Sequence, residues 1–238
     1  VAGCANRDYA IPGETFMRYS VLRCAVTCCC VYLAQTAVAA EKDAQGVALF
    51  NGKDLSGWEH FLVDSKVKKE QVWSVKDGVL VCQGKPGGYL RTTKKYENFK
   101  LVVEWRWAEK PGNSGVLMRI TGKPTMLPNC MEAQLASGSA GDMYGFQGFK
   151  VGGDKARFSA NPNAVGGLTN LKKITGNEKK PGEWNRYDIT VKGDAVTLHV
   201  NGKKVNQASG CTVRPGYIGL QSEGGVIHFR NVQITPLK

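Results

Sequence analysis

The chain has 238 residues, a net charge of +12 and 29 glycines. That length suits one all-β domain with a tail and is enough to bury a real core. The basic balance could suit nucleic acid. However, the lysines stand in scattered pairs (Lys68-Lys69, Lys94-Lys95, Lys172-Lys173, Lys179-Lys180, Lys203-Lys204) within turn-like stretches, and no basic motif is interleaved with aromatics. Nucleic acid is therefore set aside as a partner, while an anionic glycan or surface stays compatible with the charge.

Residues 1–40 differ from the rest. Met17 is followed by Arg18 and Arg23, then by an apolar run from Cys24 to Leu33, and the stretch closes on Val38-Ala39-Ala40. A basic start, a short apolar centre and a small-residue end make a secretory signal. The run falls short of the ~20 residues of a membrane-spanning helix. The competing reading is an apolar helix of the mature fold. The expectation is an upstream extension plus signal peptide over 1–40, removed on export to the periplasm or beyond. It leaves an arm over 41–46, a domain over 47–238 and no membrane attachment. Cys4, Cys24, Cys28, Cys29 and Cys30 fall in the removed segment. The triple Cys28-Cys29-Cys30 reads as apolar filler, because zinc sites use separated pairs. Cys82, Cys130 and Cys211 remain, enough for at most one disulfide.

From Glu41 onward no helical period is sustained, and short β-type runs recur between Gly, Asn, Asp and Pro. Val72–Val75 and Val79–Cys82 form a hairpin around Asp77-Gly78. Leu101–Trp107, Gly115–Ile120, Met131–Leu135 and Tyr187–Lys192 read as strands. Val196–Val200 and Lys203–Val205 form a second hairpin around Asn201-Gly202, and Tyr217–Gln221 and Val226–Ile234 follow. Many short strands with turn punctuation predict a sandwich or barrel. The stretch from Gly138 to Glu183 is rich in Gly, Asn and Lys and reads as long loops that could line a site.

Strand period places polar residues at i and i+2 on one face. Glu132 and Gln134 point one way, with Met131, Ala133 and Leu135 turned into a core. Glu104 and Arg106 share a face opposite Val103, Trp105 and Trp107. Arg119 opposes Val116, Met118 and Ile120, and Gln221 shares a face with Glu223 beside a Gly-Gly turn. A merely exposed polar face explains any one of these strands; four of them with acid, amide and guanidinium groups suggest a sugar-binding face. Ordinary glycosidases use two carboxylates, and Glu132-Ala133-Gln134 carries an amide where a second acid would stand. His60, His199 and His228 are isolated, with no metal-ligand spacing; His60, just after Gly57-Trp58, is the most interesting. Phosphate loops, nucleophile elbows and dinucleotide fingerprints are absent.

The segment Leu49-Phe50-Asn51-Gly52-Lys53-Asp54-Leu55-Ser56-Gly57-Trp58 resembles the opening signature of the 3-keto-disaccharide hydrolase family. In order follow Asn98-Phe99-Lys100-Leu101 to Glu104-Trp105-Arg106, Gly112-Asn113-Ser114-Gly115-Val116, Met131-Glu132-Ala133-Gln134, Gly182-Glu183-Trp184-Asn185, Gly219-Leu220-Gln221-Ser222-Glu223-Gly224 and Phe229-Arg230-Asn231-Val232. The resemblance runs from Val47 to Leu237. It implies a single concanavalin A-like jelly-roll β-sandwich and a carbohydrate substrate whose C3 hydroxyl a separate sugar 3-oxidoreductase has turned into a ketone. A base can then remove the acidified C2 hydrogen, the C1 group leaves, and water adds. That chemistry needs one base, an enolate donor and an acid for the leaving oxygen, so Gln134 is no obstacle. On this resemblance Glu132 or Glu223 is the base, and Arg119 with Gln134 holds the enolate or sugar hydroxyls. Tyr144 and His60 are candidate acids, while Asn113, Glu104, Arg106, Gln221 and Trp58 are candidate substrate contacts. No cofactor is implied; a divalent cation could find carboxylates but no ligand spacing. The alternative is a non-catalytic carbohydrate-binding module on the same scaffold.

Overall fold

The computed structural model describes residues 46–238; the expected leader and most of the expected arm lie outside the described residues. In chain order the elements are β1 (Val47–Ala48), β2 (Trp58–Leu62), the one-turn helix α1 (Lys69–Val72), β3 (Trp73–Lys76), β4 (Val79–Cys82) and β5 (Gly88–Thr92). Next come β6 (Phe99–Trp107), β7 (Gly115–Thr121), β8 (Asn129–Gln134), β9 (Met143–Phe146), β10 (Phe158–Asn161) and β11 (Leu168–Leu171). The chain closes with β12 (Asn185–Lys192), β13 (Ala195–Val200), β14 (Lys203–Ala208), β15 (Tyr217–Ser222) and β16 (Ile227–Pro236).

The strands form two antiparallel sheets packed as a jelly-roll sandwich. The first runs β14-β13-β12-β6-β16-β4-β3, with β1 also on β16; the second runs β10-β11-β9-β8-β7-β15-β5-β2. Alternation explains the layering. In β6, Phe99, Leu101, Val103, Trp105 and Trp107 are buried while their alternates are at most half-buried. Leu90, Val116, Met118, Met131, Ala133 and Leu220 supply the inner face of the second sheet, and all join one continuous core. Trp105 packs on Tyr187 at 4.7 Å between ring centres.

Both predicted hairpin turns are present. Asp77 and Gly78 (φ 50° and 76°) and Asn201 and Gly202 (φ 50° and 79°) take the paired positive φ of a tight hairpin turn. The long stretch from Gly138 to Glu183 departs from the expectation, because it holds β9, β10 and β11. These are four-residue strands, too short to show a period. β2 and β5, at five residues each, are also too short to stand out by period. Cys82, Cys130 and Cys211 are all buried free thiols.

Candidate active site

The site sits on the outer face of the second sheet. Residues directly opposite in an antiparallel pair share a face, so the register assembles it. Tyr89 faces Phe61 on one side and Gln221 on the other. Gly115 faces Gln134, Leu117 faces Glu132, and Glu132 faces Tyr144, which faces Asn170. Glu132 leans over β7: any side chain at Gly115 would collide with its carboxyl. Gly115 is thus the vacancy that lets a buried acid lie flat across the sheet, between Gln134 and Gln221.

Glu223 is delivered by the turn after β15. Its neighbours Gly224 and Gly225 press against Gly112 and Gly84, where a Cβ would strike backbone. The Asn113 amide donates to the Gly224 carbonyl at 2.8 Å. The end of β8 is fixed from across the core. The Tyr187 hydroxyl donates to the Gln134 carbonyl at 2.6 Å and accepts from the Gly141 amide at 2.6 Å. The side-chain oxygen of Gln134 turns back onto the Leu135 and Ala136 amides, 2.8 and 2.7 Å away. Its NH₂ group is what it can offer a ligand.

The connection 122–128 folds back over this face. Met126 packs on Gly87, ahead of β5. Leu127 packs with the cluster of Tyr89, Leu117, Ile120, Cys130 and Phe146, and its carbonyl accepts from Gln147 at 3.3 Å. On this same face Tyr89, Glu132 and Gln221 are buried.

Five buried polar atoms gather here without a protein partner: Tyr89 Oη, Glu132 Oε1, both amide atoms of Gln221, and Asn113 Oδ1. Buried polar groups are normally paired, because leaving one unpaired costs ~1–3 kcal/mol. A group of orphans on one face is what a hydroxyl-rich ligand would satisfy. Burial pushes the Glu132 carboxyl well above the usual range, and the neighbouring Glu223 charge pushes it further. Burial also raises Glu223. Fully buried Glu132 therefore holds a proton more firmly than half-buried Glu223, and the two titrate as a pair. Burial raises the Tyr89 hydroxyl to about 12 and raises Tyr144 too, so both phenols stay protonated.

The structure brings together Glu132, Glu223, Gln134, Gln221, Asn113 and Tyr144, and separates the rest. Glu104 and Arg106 lie on the other sheet, on its outer face. There Glu104 accepts from Arg230 Nε (2.7 Å) and Asn231 Nδ2 (2.9 Å), and the Arg106 and Arg230 guanidiniums stand 4.8 and 4.0 Å from the Trp184 ring centre. The face-sharing within their strand was read correctly; which sheet owns it is a matter of topology. Arg119 leaves the site at a bulge, with φ 55°. Its guanidinium donates to the carbonyls of Glu97, Thr212 and Gly193 at 2.7–3.1 Å and so ties three loops together. Strict alternation could not foresee the bulge. His60 pairs with inward-facing Leu90, so it stands at the edge of the inner face, opposite to the site. Trp58 is buried in the core, its indole donating to the Leu49 carbonyl at 2.8 Å. Tyr89 was missed. Its strand is five residues long and opens on glycine, and only the pairing with Gln221 marks it. Among the described residues no group of three or more His, Cys, Asp or Glu could hold a metal ion.

The family model of the 3-keto-alpha-glucoside-1,2-lyase-like domain matches residues 45–235. The chain is similar to a 3-keto-disaccharide hydrolase of Bacteroides thetaiotaomicron, 26% identical, with 82% of this chain and 80% of the relative covered. A solved protein from Parabacteroides distasonis, assigned as a glycosyl hydrolase, superposes with a TM-score of 0.59 at 25% identity, covering 81% of this chain and 94% of that one. The carbohydrate-binding module CBM66 of Bacillus subtilis shares the fold alone, with a TM-score of 0.56 at 11% identity and coverage of 75% and 94%. With nearly the whole described region matched, the chain belongs to the 3-keto-alpha-glucoside-1,2-lyase-like family.

Proposed function

We propose that this protein is an exported enzyme that cleaves glycosides of 3-keto sugars by removing the C2 proton and expelling the C1 substituent. The observation that supports this most is the pair of carboxyls with unequal burial among orphaned donors and acceptors. When two neighbouring environments push proton affinities apart, they mark the acid and the base. Glu223, the more exposed, carries the charge and takes the C2 proton. The electron pair moves toward the C3 oxygen, where the Gln221 amide and the Tyr89 hydroxyl are the donors at hand. The enolate then collapses, the C1–O bond breaks, and Glu132 gives its proton to the departing oxygen. The product is a sugar with a C1–C2 double bond. Water adds in the reverse sense, with Glu132 as base and Glu223 as acid, and restores both carboxyls. The net reaction is hydrolysis.

A simple binder would have no use for a buried protonated acid beside an ionisable one, and ordinary double-carboxylate hydrolysis would need no ketone. The test is to incubate the protein with 3-keto-trehalose in D₂O and follow release of glucose and the hydrogen at C2 of the keto sugar by NMR. Deuterium at C2 is the expected result where the proton on Glu223 exchanges with solvent, and slower release from the C2-deuterated substrate is expected whether it exchanges or not. Release with the C2 hydrogen fully retained and no slowing by C2 deuteration would defeat the elimination, and binding without release from any 3-keto donor would defeat the enzyme.

A further inference from the structure

We infer that Tyr144, backed by Phe146, forms the floor of a leaving-group subsite that favours a ring-shaped, hydroxylated leaving group, a second sugar, over a small one. This rests on the acid and base roles proposed above. The acid, Glu132, lies on β8 directly opposite Tyr144 on β9. The base, Glu223, comes from the far side, at the end of β15, with Gln221 and Tyr89 beyond it. Two strand spacings of roughly 4.8 Å each separate β8 from β15, and Glu132 spans one of them by leaning over Gly115. The oxygen that leaves must touch the acid, so the group attached to it extends away from the base, toward β9.

What waits there is an aromatic ring. Tyr144 and Phe146 share a face, with ring centres 6.1 Å apart and planes only 4° from parallel. Tyr144 is half-buried, while Phe146 is buried and packs with Leu127. The Tyr144 ring is thus the apolar surface on offer, with Phe146 packed alongside to hold it. The C–H face of a pyranose packs on such a surface, with weak C–H contacts to the ring. Polar groups stand at its edge: Lys172 donates to the Asp142 carboxylate at 3.2 Å with its ammonium largely exposed, and Asn170 faces Tyr144 across the strand pair. A methyl leaving group would reach none of this. The keto-sugar side holds Phe61 on Tyr89, centres 5.5 Å apart, so aromatic pairs flank the two carboxyls on either side.

The experiment compares 3-keto-trehalose with methyl 3-keto-α-glucoside for wild type, Tyr144→Ala, Tyr144→Leu and Tyr144→Phe. Losing an aromatic anchor lowers the disaccharide-to-methyl ratio of kcat/KM by about tenfold, carried by KM. Tyr144→Leu keeps apolar bulk in the strand and gives the same loss if Tyr144→Ala folds poorly. Tyr144→Phe keeps the ratio within about twofold, because the ring and not the hydroxyl is the floor. An unchanged ratio in both the Ala and Leu variants overturns the subsite, and so does an equal loss in Tyr144→Phe. If wild type turns over no 3-keto donor, the elimination reading falls by itself. Unoxidised trehalose, followed by saturation-transfer NMR, then decides the subsite. Binding weakened about tenfold by Tyr144→Leu and kept by Tyr144→Phe upholds it, and binding indifferent to both, or absent from wild type, overturns it.

Discussion

The two outer faces of the sandwich carry similar residue types arranged to opposite ends. On the first sheet Glu104 meets Arg230, Asn231 and Arg186, while Arg186 also pairs with Asp188 at 2.6 Å. Arg106 donates to His228 Nδ1 at 3.2 Å. These charges have partners within the face. On the second sheet Glu132, Gln221 and Tyr89 are more deeply buried, yet Glu132 Oε1, both amide atoms of Gln221 and Tyr89 Oη lack protein partners. A satisfied polar face supports folding and solubility. A buried face left unsatisfied costs stability, and selection for ligand contact is the physical reason to keep it.

Exchange of the carboxylates gives the largest expected contrast. Glu132→Gln and Glu223→Gln should each lower kcat/KM on a 3-keto disaccharide by roughly 10²–10⁴, the usual worth of a proton-transfer group. Glu104→Gln on the other face should stay within about twofold, since no shared partner couples it to the site. Full turnover by Glu132→Gln would remove Glu132 from the chemistry and dissolve the contrast.

Arg119 belongs to neither face, and its loss should act on stability alone. Arg119→Met orphans the carbonyls of Glu97, Thr212 and Gly193. At ~1–3 kcal/mol for each unsatisfied group the cost is about 3 kcal/mol or more, to be read in urea unfolding midpoints. A variant as stable as wild type would return Arg119 to the list of substrate contacts.

The pH dependence of folding should have opposite signs on the two faces. Burial and Glu223 raise Glu132 above its ordinary value of 4.5, so its contribution is fully present below that pH and is lost as pH rises through the higher folded value. Glu132→Gln should gain stability relative to wild type as pH climbs above about 4.5. For Glu104, burial alone would raise the carboxyl, but hydrogen bonds from Asn231 and Arg230, with the Arg230 and Arg186 charges, outweigh it and hold the group low. Its contribution is present above 4.5 and fades as pH falls through the lowered folded value. Glu104→Gln should therefore lose stability at neutral pH and converge with wild type in acid. Denaturant melts of both variants from pH 3.5 to 8 check the two slopes; equal slopes would erase the distinction between the faces.

The smallest effect should come from Asp188→Ala. Its ion pair with Arg186 is exposed, both side chains being more than a third accessible, and such pairs contribute ~0–1 kcal/mol, less at high salt. A loss above about 1 kcal/mol that persists in 0.5 M NaCl would show that this face is a tighter network than its exposure suggests.

Local chemistry made much of the fold legible. Asp77-Gly78 and Asn201-Gly202 dictated their hairpins, because few residues take positive φ at both turn positions. The alternation in Phe99–Trp107 and Met131–Leu135 dictated which side chains face the core, because a strand has period two. The same alternation put Glu132 with Gln134, and Gln221 with Glu223. What it could not do was join strands distant in sequence. That Gln221 stands beside Tyr89 and Gly115, while Glu104 and Arg106 belong to the opposite sheet, follows from strand order, which is set by long-range pairing. Arg119 shows the other limit: one bulged residue reverses a side chain that alternation assigns. Trp58 and His60 show a third. A motif marks that residues matter, but only packing decides that the indole fills the core and the imidazole sits at an edge facing away from the carboxyls. The sequence by itself determined the longer strands, most of their inward faces and the family, because those rest on local geometry and residue order. Tertiary structure alone decided which polar residues meet, are buried and go unpaired, because burial and pairing are properties of neighbours in space.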